Sequence, residues 1–231
     1  MQVVILTAGE GTRLRPLTES IPKALIPVGK QRLIEYALQA LPSCIDEVVL
    51  VVGYRGEDIK KFLGTRYGPL SLTYVEQGEK KGTAGALWSV RSVLKKDYFL
   101  VLNGDDIYST VDLIPFCASE LAFGYAEAQA QGKMLSVVIS EGYFKGFTRP
   151  SIGDTIFVGT NVFTLDHRIF DTDPVLLGSG EYGLPQTLAN ISDSELVHTH
   201  QLYAWFPINT QGDIVHFETW HSRDSSGTIK E

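Results

Sequence analysis

Four stretches of the chain are apolar at every successive position rather than at every second one: residues 3–6, 48–52, 99–102 and 137–139. A strand with one wet face alternates, so these unbroken runs predict strands covered on both sides. Between and after them, apolar residues recur at helical spacing over 33–41, 56–63, 83–94 and 112 to about 131. Strands alternating with helices predict an α/β fold, a doubly wound, Rossmann-like sheet. Right-handed crossovers then bring the loops after the strands to one edge, where ligands bind. The loops following Leu6, Val75 and Leu102 become the places to look for chemistry. Beyond about residue 133 the runs shorten, and strands are expected at 135–140, 155–164, 196–200 and 203–208, with short helices near 166–170 and 183–190. These would make the sheet mixed. No linker or repeat interrupts the chain, so one domain is expected, with parts at about 1–133 and 134–220 and a frayed polar tail over 221–231.

Composition narrows the class. A chain of 231 residues that is 44% hydrophobic and 20% charged is ordinary globular material. No apolar run reaches the ~18 residues of a membrane span, and no basic flank precedes an apolar core at the start, so a cytoplasmic protein without a membrane partner is expected. Cys44 and Cys117 stand far apart in the sequence and are expected to be separate buried apolar fillers, not a disulfide or zinc site. The net charge of −7 argues against nucleic acid as a partner. Yet from Glu10 to Arg32 five cations stand against two carboxylates, a local +3 that would draw an anion.

That segment opens with a glycine loop. The first apolar run leads into Thr7-Ala8-Gly9-Glu10-Gly11-Thr12-Arg13-Leu14-Arg15-Pro16, where two glycines allow a tight turn and close approach of backbone N–H groups to an anion. A dinucleotide fingerprint would need glycine in place of Leu14 and an acid after the second strand, and neither is present. A P-loop would need Ser or Thr after Gly-Lys, but Gln31 and Met134 stand there. A Gly-x-Gly turn by itself is compatible with plain turn chemistry.

The longer pattern is more specific. Gly9-Glu10-Gly11-Thr12-Arg13-Leu14-Arg15-Pro16-Leu17-Thr18, followed after three residues by Pro22-Lys23-Ala24-Leu25-Ile26-Pro27-Val28, resembles the signature of the sugar-1-phosphate nucleotidyltransferases, the nucleotide-sugar pyrophosphorylases. The likeness continues through Ile34-Glu35-Tyr36, Gln77, Gly82-Thr83-Ala84, Asn103-Gly104-Asp105 and Trp205 to Thr210. It implies a nucleotidyltransferase-type mixed sheet with a smaller sugar-binding lobe. It also implies an enzyme that joins a nucleoside triphosphate to a sugar 1-phosphate, with Mg²⁺, and releases pyrophosphate. A phosphate monoester with a second pKa of about 6 is already largely ionised at neutral pH, so such a reaction requires positioning and fixed charge rather than a general base.

By resemblance, Ala8, Gly9, Gly11 and Thr12 contact the nucleotide, Arg13 binds the triphosphate, and Lys23 lies near the reacting phosphates. Gln77, Gly82 and Thr83 fall to the base, although Thr83 also reads as a helix N-cap. Asp105 is implied as nucleotide-side metal ligand, and Asp106 is expected to cap or face solvent. Relatives commonly place a second Asp where Pro207 stands here, so Asn209 is the expected second ligand through its amide oxygen. Thr148-Arg149-Pro150 replaces the usual Glu-Lys-Pro, which leaves Arg149 for the sugar phosphate and removes a carboxylate from the sugar side. Two other readings stay open: cytidylyl transfer to phosphocholine or a similar monoester, and a regulatory subunit that binds without catalysis. Base, sugar and oligomeric state are also open, a homo-oligomer among the possibilities. His198 and His200 share a strand face but lack a third ligand nearby, so no metal is expected there.

Overall fold

The computed structural model describes residues 1–224 and is built on one ten-stranded sheet. Its strands in chain order are β1 (Gln2–Leu6), β2 (Glu47–Val52), β3 (Arg66–Tyr67), β4 (Leu70–Glu76), β5 (Tyr98–Asn103), β6 (Ala122–Gln129), β7 (Ser136–Ser140), β8 (Tyr143–Thr148), β9 (Thr155–Asp166) and β10 (His198–Gln201). Across the sheet they run β7-β8-β10-β6-β9-β5-β1-β2-β4-β3. Strands β5, β1, β2 and β4 are parallel, and β9 runs antiparallel to both β5 and β6. The chain leaves β1 toward β2 and β4, then returns to place β5 on β1's other side. That reversal opens a crevice at the C-terminal rim of the parallel strands.

Three of the four unbroken apolar runs are buried as their pattern requires, with Val3, Val4, Ile5, residues 48–52 and residues 99–102 at 0% exposure, whereas the run at 137–139 lies in the edge strand β7 and buries only Val137, leaving Val138 and Ile139 half-buried. Helices α1 (Leu33–Gln39), α2 (Gly56–Leu63), α3 (Gly82–Trp88), α4 (Thr110–Cys117), α5 (Leu184–Ile191) and α6 (Gln211–Asp224) surround the sheet. A separate apolar cluster lies beside the crevice. There Leu14, Ile26, Val28, Leu33, Ile107 and Ile208 pack with Ile214 and Phe217 of α6.

Four further expectations change. The helix expected over 112–131 is two elements: α4 carries Pro115, which lacks an N–H donor, and stops at Cys117, and the chain then enters β6. Alanines at 122, 126 and 128 suit a helix, but β6 is a central strand between β9 and β10, and that burial overrides propensity. The helix expected over 83–94 keeps its regular form only to Trp88 and continues as turns with i to i+3 bonds. The frayed tail is wrong over 221–224, which extend α6, while residues 225–231 lie outside the described residues. Cys44 and Cys117, expected as separate buried fillers, are disulfide-bonded across 73 residues of sequence, Cys44 exposed and Cys117 half-buried. Sequence separation hid this because the loop before β2 and the end of α4 meet only in three dimensions.

Among the described residues no helix is long and apolar enough to cross a membrane, and no cluster of three His, Cys, Asp or Glu side chains forms. His198 packs on the Tyr143 ring, and His200 meets Phe116 edge-on with Nε2 2.8 Å from Ser119 Oγ. Burial first, and the neighbouring His198 second, hold His200 below the ordinary imidazole pKa. The folded chain therefore binds fewer protons there than the unfolded chain. Its contribution to stability is complete above the unfolded value of about 6.5 and is lost as pH falls through the folded value. The melting temperature should fall from pH 7 to pH 5, and His200→Gln should make that fall shallower. Equal slopes in the two proteins would rule out His200 as a source.

Candidate functional site

A cleft of about 850 Å³ opens at the C-terminal rim of the parallel strands. The segment after β1 forms one wall. Gly11 has φ +64°, a left-handed conformation, and a Cβ there would lie 3.0 Å from both Lys23 Cβ and Thr18 Cγ2. Only glycine meets both demands, and the Thr18 hydroxyl fixes the turn by donating to Gly11 O at 2.9 Å. Ala8, Gly9, Gly11, Thr12 and Arg13 all line the cleft. Arg13 is exposed and pairs with no acid among the described residues, so its charge is available to a ligand.

Lys23 is different. It sits in a 3₁₀ turn over Lys23–Leu25, is 8% exposed, and its ammonium forms an ion pair with Asp105 while lying 3.4 Å from Asn209 Oδ1. Asp105 hangs just beyond β5. Asn209 arrives from residues far away in sequence, and its route is built in detail. Phe206–Pro207 pairs antiparallel with Asp106–Ile107, and Asp112 at the start of α4 accepts from the backbone N–H groups of Tyr203 and Ala204 at 2.9 and 2.7 Å. Asp213 accepts from those of Asn209 and Thr210 at 2.8 and 2.7 Å. Asp105 and Asn209 thus present a carboxylate and an amide oxygen to one cation, here the Lys23 ammonium. Two hard oxygens fit Mg²⁺, which takes one or two protein ligands and completes its shell with phosphate and water.

Asp106 corrects an expectation. It neither caps a helix nor faces solvent: it is 4% exposed and accepts from Trp205 Nε1 at 3.0 Å. Burial first, then the adjacent Asp105 carboxylate, push it well above the usual carboxylate range. Burial likewise raises Tyr108, whose hydroxyl bonds the backbone of Asn103. An Asp after a glycine looks like a turn residue in one dimension, and its indole partner lies 99 residues away.

The opposite wall is formed after β4 and at α3. Gln77 donates from Nε2 to Lys80 O at 3.1 Å and Gly82 O at 3.3 Å. Gln77, Gly82 and Thr83 line the cleft, but Thr83 is no N-cap, since its hydroxyl accepts from Leu184 N at 2.9 Å. Tyr182 N donates to Lys81 O at 2.8 Å. These two bonds fasten the segment before α5 against α3 and bring Glu181 and Gln186 to the cleft, along with Lys81 and Tyr54, all missed by sequence reasoning. Gly82 has φ +88°, and a Cβ on it would sit 2.5 Å from Tyr182 O. Gly82→Ala should destabilise the fold by about 1–3 kcal/mol, read as a lowered melting temperature. An unchanged melt would show that this close approach does not constrain the wall.

Arg149, expected at the sugar phosphate, is exposed beyond the end of β8 and does not line the cleft. The Thr-Arg-Pro run was matched by motif position, and the pairing of β7 with β8 carries it to the far part of the sheet. Pro207 also stays out of this cleft and borders a smaller one of about 310 Å³ with Trp205 and Tyr203.

Comparison with known proteins identifies the family and the fold. The profile of the family described as nucleotidyl transferase matches residues 2–140. The bifunctional protein GlmU of Methanococcus vannielii is 28% identical over 228 residues, covering 93% of this chain and 53% of its own length. The chain therefore spans about half of that relative. The UTP–glucose-1-phosphate uridylyltransferase AglF of Haloferax volcanii is 39% identical over 110 residues, 47% of this chain and 45% of AglF. An apo UDP-glucose pyrophosphorylase superposes with a TM-score of 0.79 at 16% identity, over 97% of this chain and 98% of that one. The likeness at that identity establishes the Rossmann-like nucleotidyltransferase fold.

Proposed function

The chain belongs to the nucleotidyl transferase family, and from that premise we propose that it joins a nucleoside triphosphate to a sugar 1-phosphate, giving a nucleoside-diphosphate sugar and pyrophosphate. The observation that carries this reading is the convergence of Lys23, Asp105 and Asn209 under the Gly9–Gly11 turn. In the reaction an acceptor phosphate oxygen forms a bond to the α-phosphorus while the bond from that phosphorus to the bridging oxygen of the leaving pyrophosphate breaks. No proton needs to be removed, since the acceptor is ionised at neutral pH. The task left to the protein is to hold two polyanions in line.

Arg13 meets the triphosphate from the exposed side of the turn, and the backbone N–H groups of the turn meet it from below. Lys23, nearly buried, offers fixed charge where the two phosphates approach; at an effective dielectric of ~20 one cation 4 Å from an anion is worth roughly 4 kcal/mol before desolvation. Gln77 and Gly82 hold the base, and Asp105 with Asn209 would hold Mg²⁺. The metal, when bound, neutralises phosphate charge. Asn209 brings one carboxylate fewer than a pair of Asp ligands would, which favours weaker Mg²⁺ binding. A non-catalytic subunit would have no physical use for a lysine buried against the same carboxylate.

The test is a panel of the common nucleoside triphosphates against hexose 1-phosphates, N-acetylhexosamine 1-phosphates and phosphocholine, with Mg²⁺ and pyrophosphate release as readout. Release with a sugar 1-phosphate is the expected result. Release with phosphocholine alone, or with no acceptor, would overturn the reading.

A further inference from the structure

The segment that carries Arg13 is thinly held. From Glu10 to Ser20 only Leu14 and Thr18 are buried, the first in the apolar cluster beside the crevice and the second against Gly11. Its hydrogen bonds are local: Leu14 N–H to Gly11 O, Arg15 N–H to Thr12 O, Glu19 N–H to Pro16 O, the Thr18 hydroxyl to Gly11 O, and the Arg15 guanidinium to Glu10. Among the described residues one hydrogen bond ties this segment to another element. It runs from the Tyr54 hydroxyl, after β2, to Glu19 O at 3.1 Å.

Tyr54 also holds the near end of the same stretch. Its backbone N–H donates to Ala8 O at 3.3 Å, and Gly53 before it lies so close that a Cβ there would sit 2.8 Å from that oxygen. Ala8 and Glu19, which flank the glycine turn and Arg13, are thus joined through a single residue. That residue is aimed by a turn of its own. Gly56 N donates to Gly53 O at 3.0 Å, Arg55 between them adopts φ +53°, and Arg55 Nε donates to Asp58 at 2.6 Å in the first turn of α2. A non-glycine residue persists in the left-handed region only where its surroundings over-determine it, so Tyr54 stands on a stiff corner. The tyrosine is half-buried and lines the cleft together with Arg13. An exposed segment left free would have to be ordered when a ligand arrives, at a cost in affinity; ordering it beforehand removes that cost.

Resting on the reading above, we propose that Tyr54 is a positioning residue for the triphosphate, its hydroxyl pinning the segment from Glu10 to Ser20 so that Arg13 is held toward the cleft before the nucleotide enters. The hydroxyl proton is committed to Glu19 O, so Tyr54 acts through the segment. Tyr54→Phe is the test, because it keeps the ring and removes the hydroxyl. In the ligand-free variant the amides of Leu14, Arg15 and Glu19 should exchange with deuterium about three- to tenfold faster, the scale of one lost hydrogen bond, while those of β1 and β2 and the melting temperature stay unchanged. With Mg²⁺ present, the Kd of the triphosphate that the wild-type protein binds best should rise by a similar factor, read by calorimetry, and the KM of the sugar 1-phosphate should stay within about twofold. In an Arg13→Ala background the same substitution should add less than about twofold to that Kd, since the group it positions is gone. Unchanged exchange, an unchanged Kd or a fully additive rise beside Arg13→Ala would overturn the role of Tyr54 and leave the proposed reaction standing. A lowered melting temperature with equal losses toward both substrates would mark a merely structural tyrosine and overturn it too. Absence of triphosphate binding by the wild-type protein would overturn the reaction and the positioning role together, whatever the exchange rates show.

Discussion

Lys23→Ala is expected to lower turnover with the triphosphate and its acceptor by about 10²- to 10³-fold, the effect of removing one preorganised electrostatic stabiliser from a partly dry site. The ammonium is nearly buried and held by its turn beside Asp105 and Asn209, so its positive charge stands at the site before the phosphates arrive. Its loss also leaves Asp105 without a cation beside the buried Asp106, and the fold should weaken as well as the chemistry. Circular dichroism and melting must therefore accompany the kinetics. Lys23→Arg gives a second measure: it keeps the charge, but a planar guanidinium does not fit the same pocket, so activity should recover only in part. A folded Lys23→Ala protein with wild-type turnover would remove Lys23 from the mechanism.

Asp105→Asn should produce a loss of similar size with a different signature. The amide keeps the shape and one oxygen but removes the negative charge that a divalent ion requires. The Mg²⁺ concentration for half-maximal rate should rise by about tenfold or more, a shift that Lys23→Ala need not produce. Because Lys23 and Asp105 touch, their effects should not add: the double variant should be far less impaired than the product of the two single losses. Additive losses would mean the pair does not act as a unit. A Mg²⁺ titration unchanged by Asp105→Asn would place the metal elsewhere.

What the sequence disclosed follows from which features are local. The runs at 3–6, 48–52 and 99–102 were legible as doubly covered strands because burial on both faces writes itself into consecutive residues. Gly11 was legible because φ is a local property, and Lys23 because it sits within the same extended motif. Asn209 was named through resemblance, while the backbone bonds that place its segment, from Tyr203 N–H to Asp112 and from Asn209 N–H to Asp213, were not foreseen. Asp106 and the Cys44–Cys117 pair were misread for a common reason. Each has its environment set by an element far along the chain, and nothing in their immediate neighbours encodes that partner.

The apolar cluster beside the crevice has a mechanical meaning. Leu14 ends the glycine-bearing turn, Ile208 precedes Asn209, and both belong to one cluster with Ile214 and Phe217 of α6. Displacing that helix would shift the glycine-bearing turn and the segment that carries Asn209 together, with no change in the residues that line the cleft. A domain fused downstream, or a protein gripping the helix from outside, would thereby have a lever on the rate from a distance.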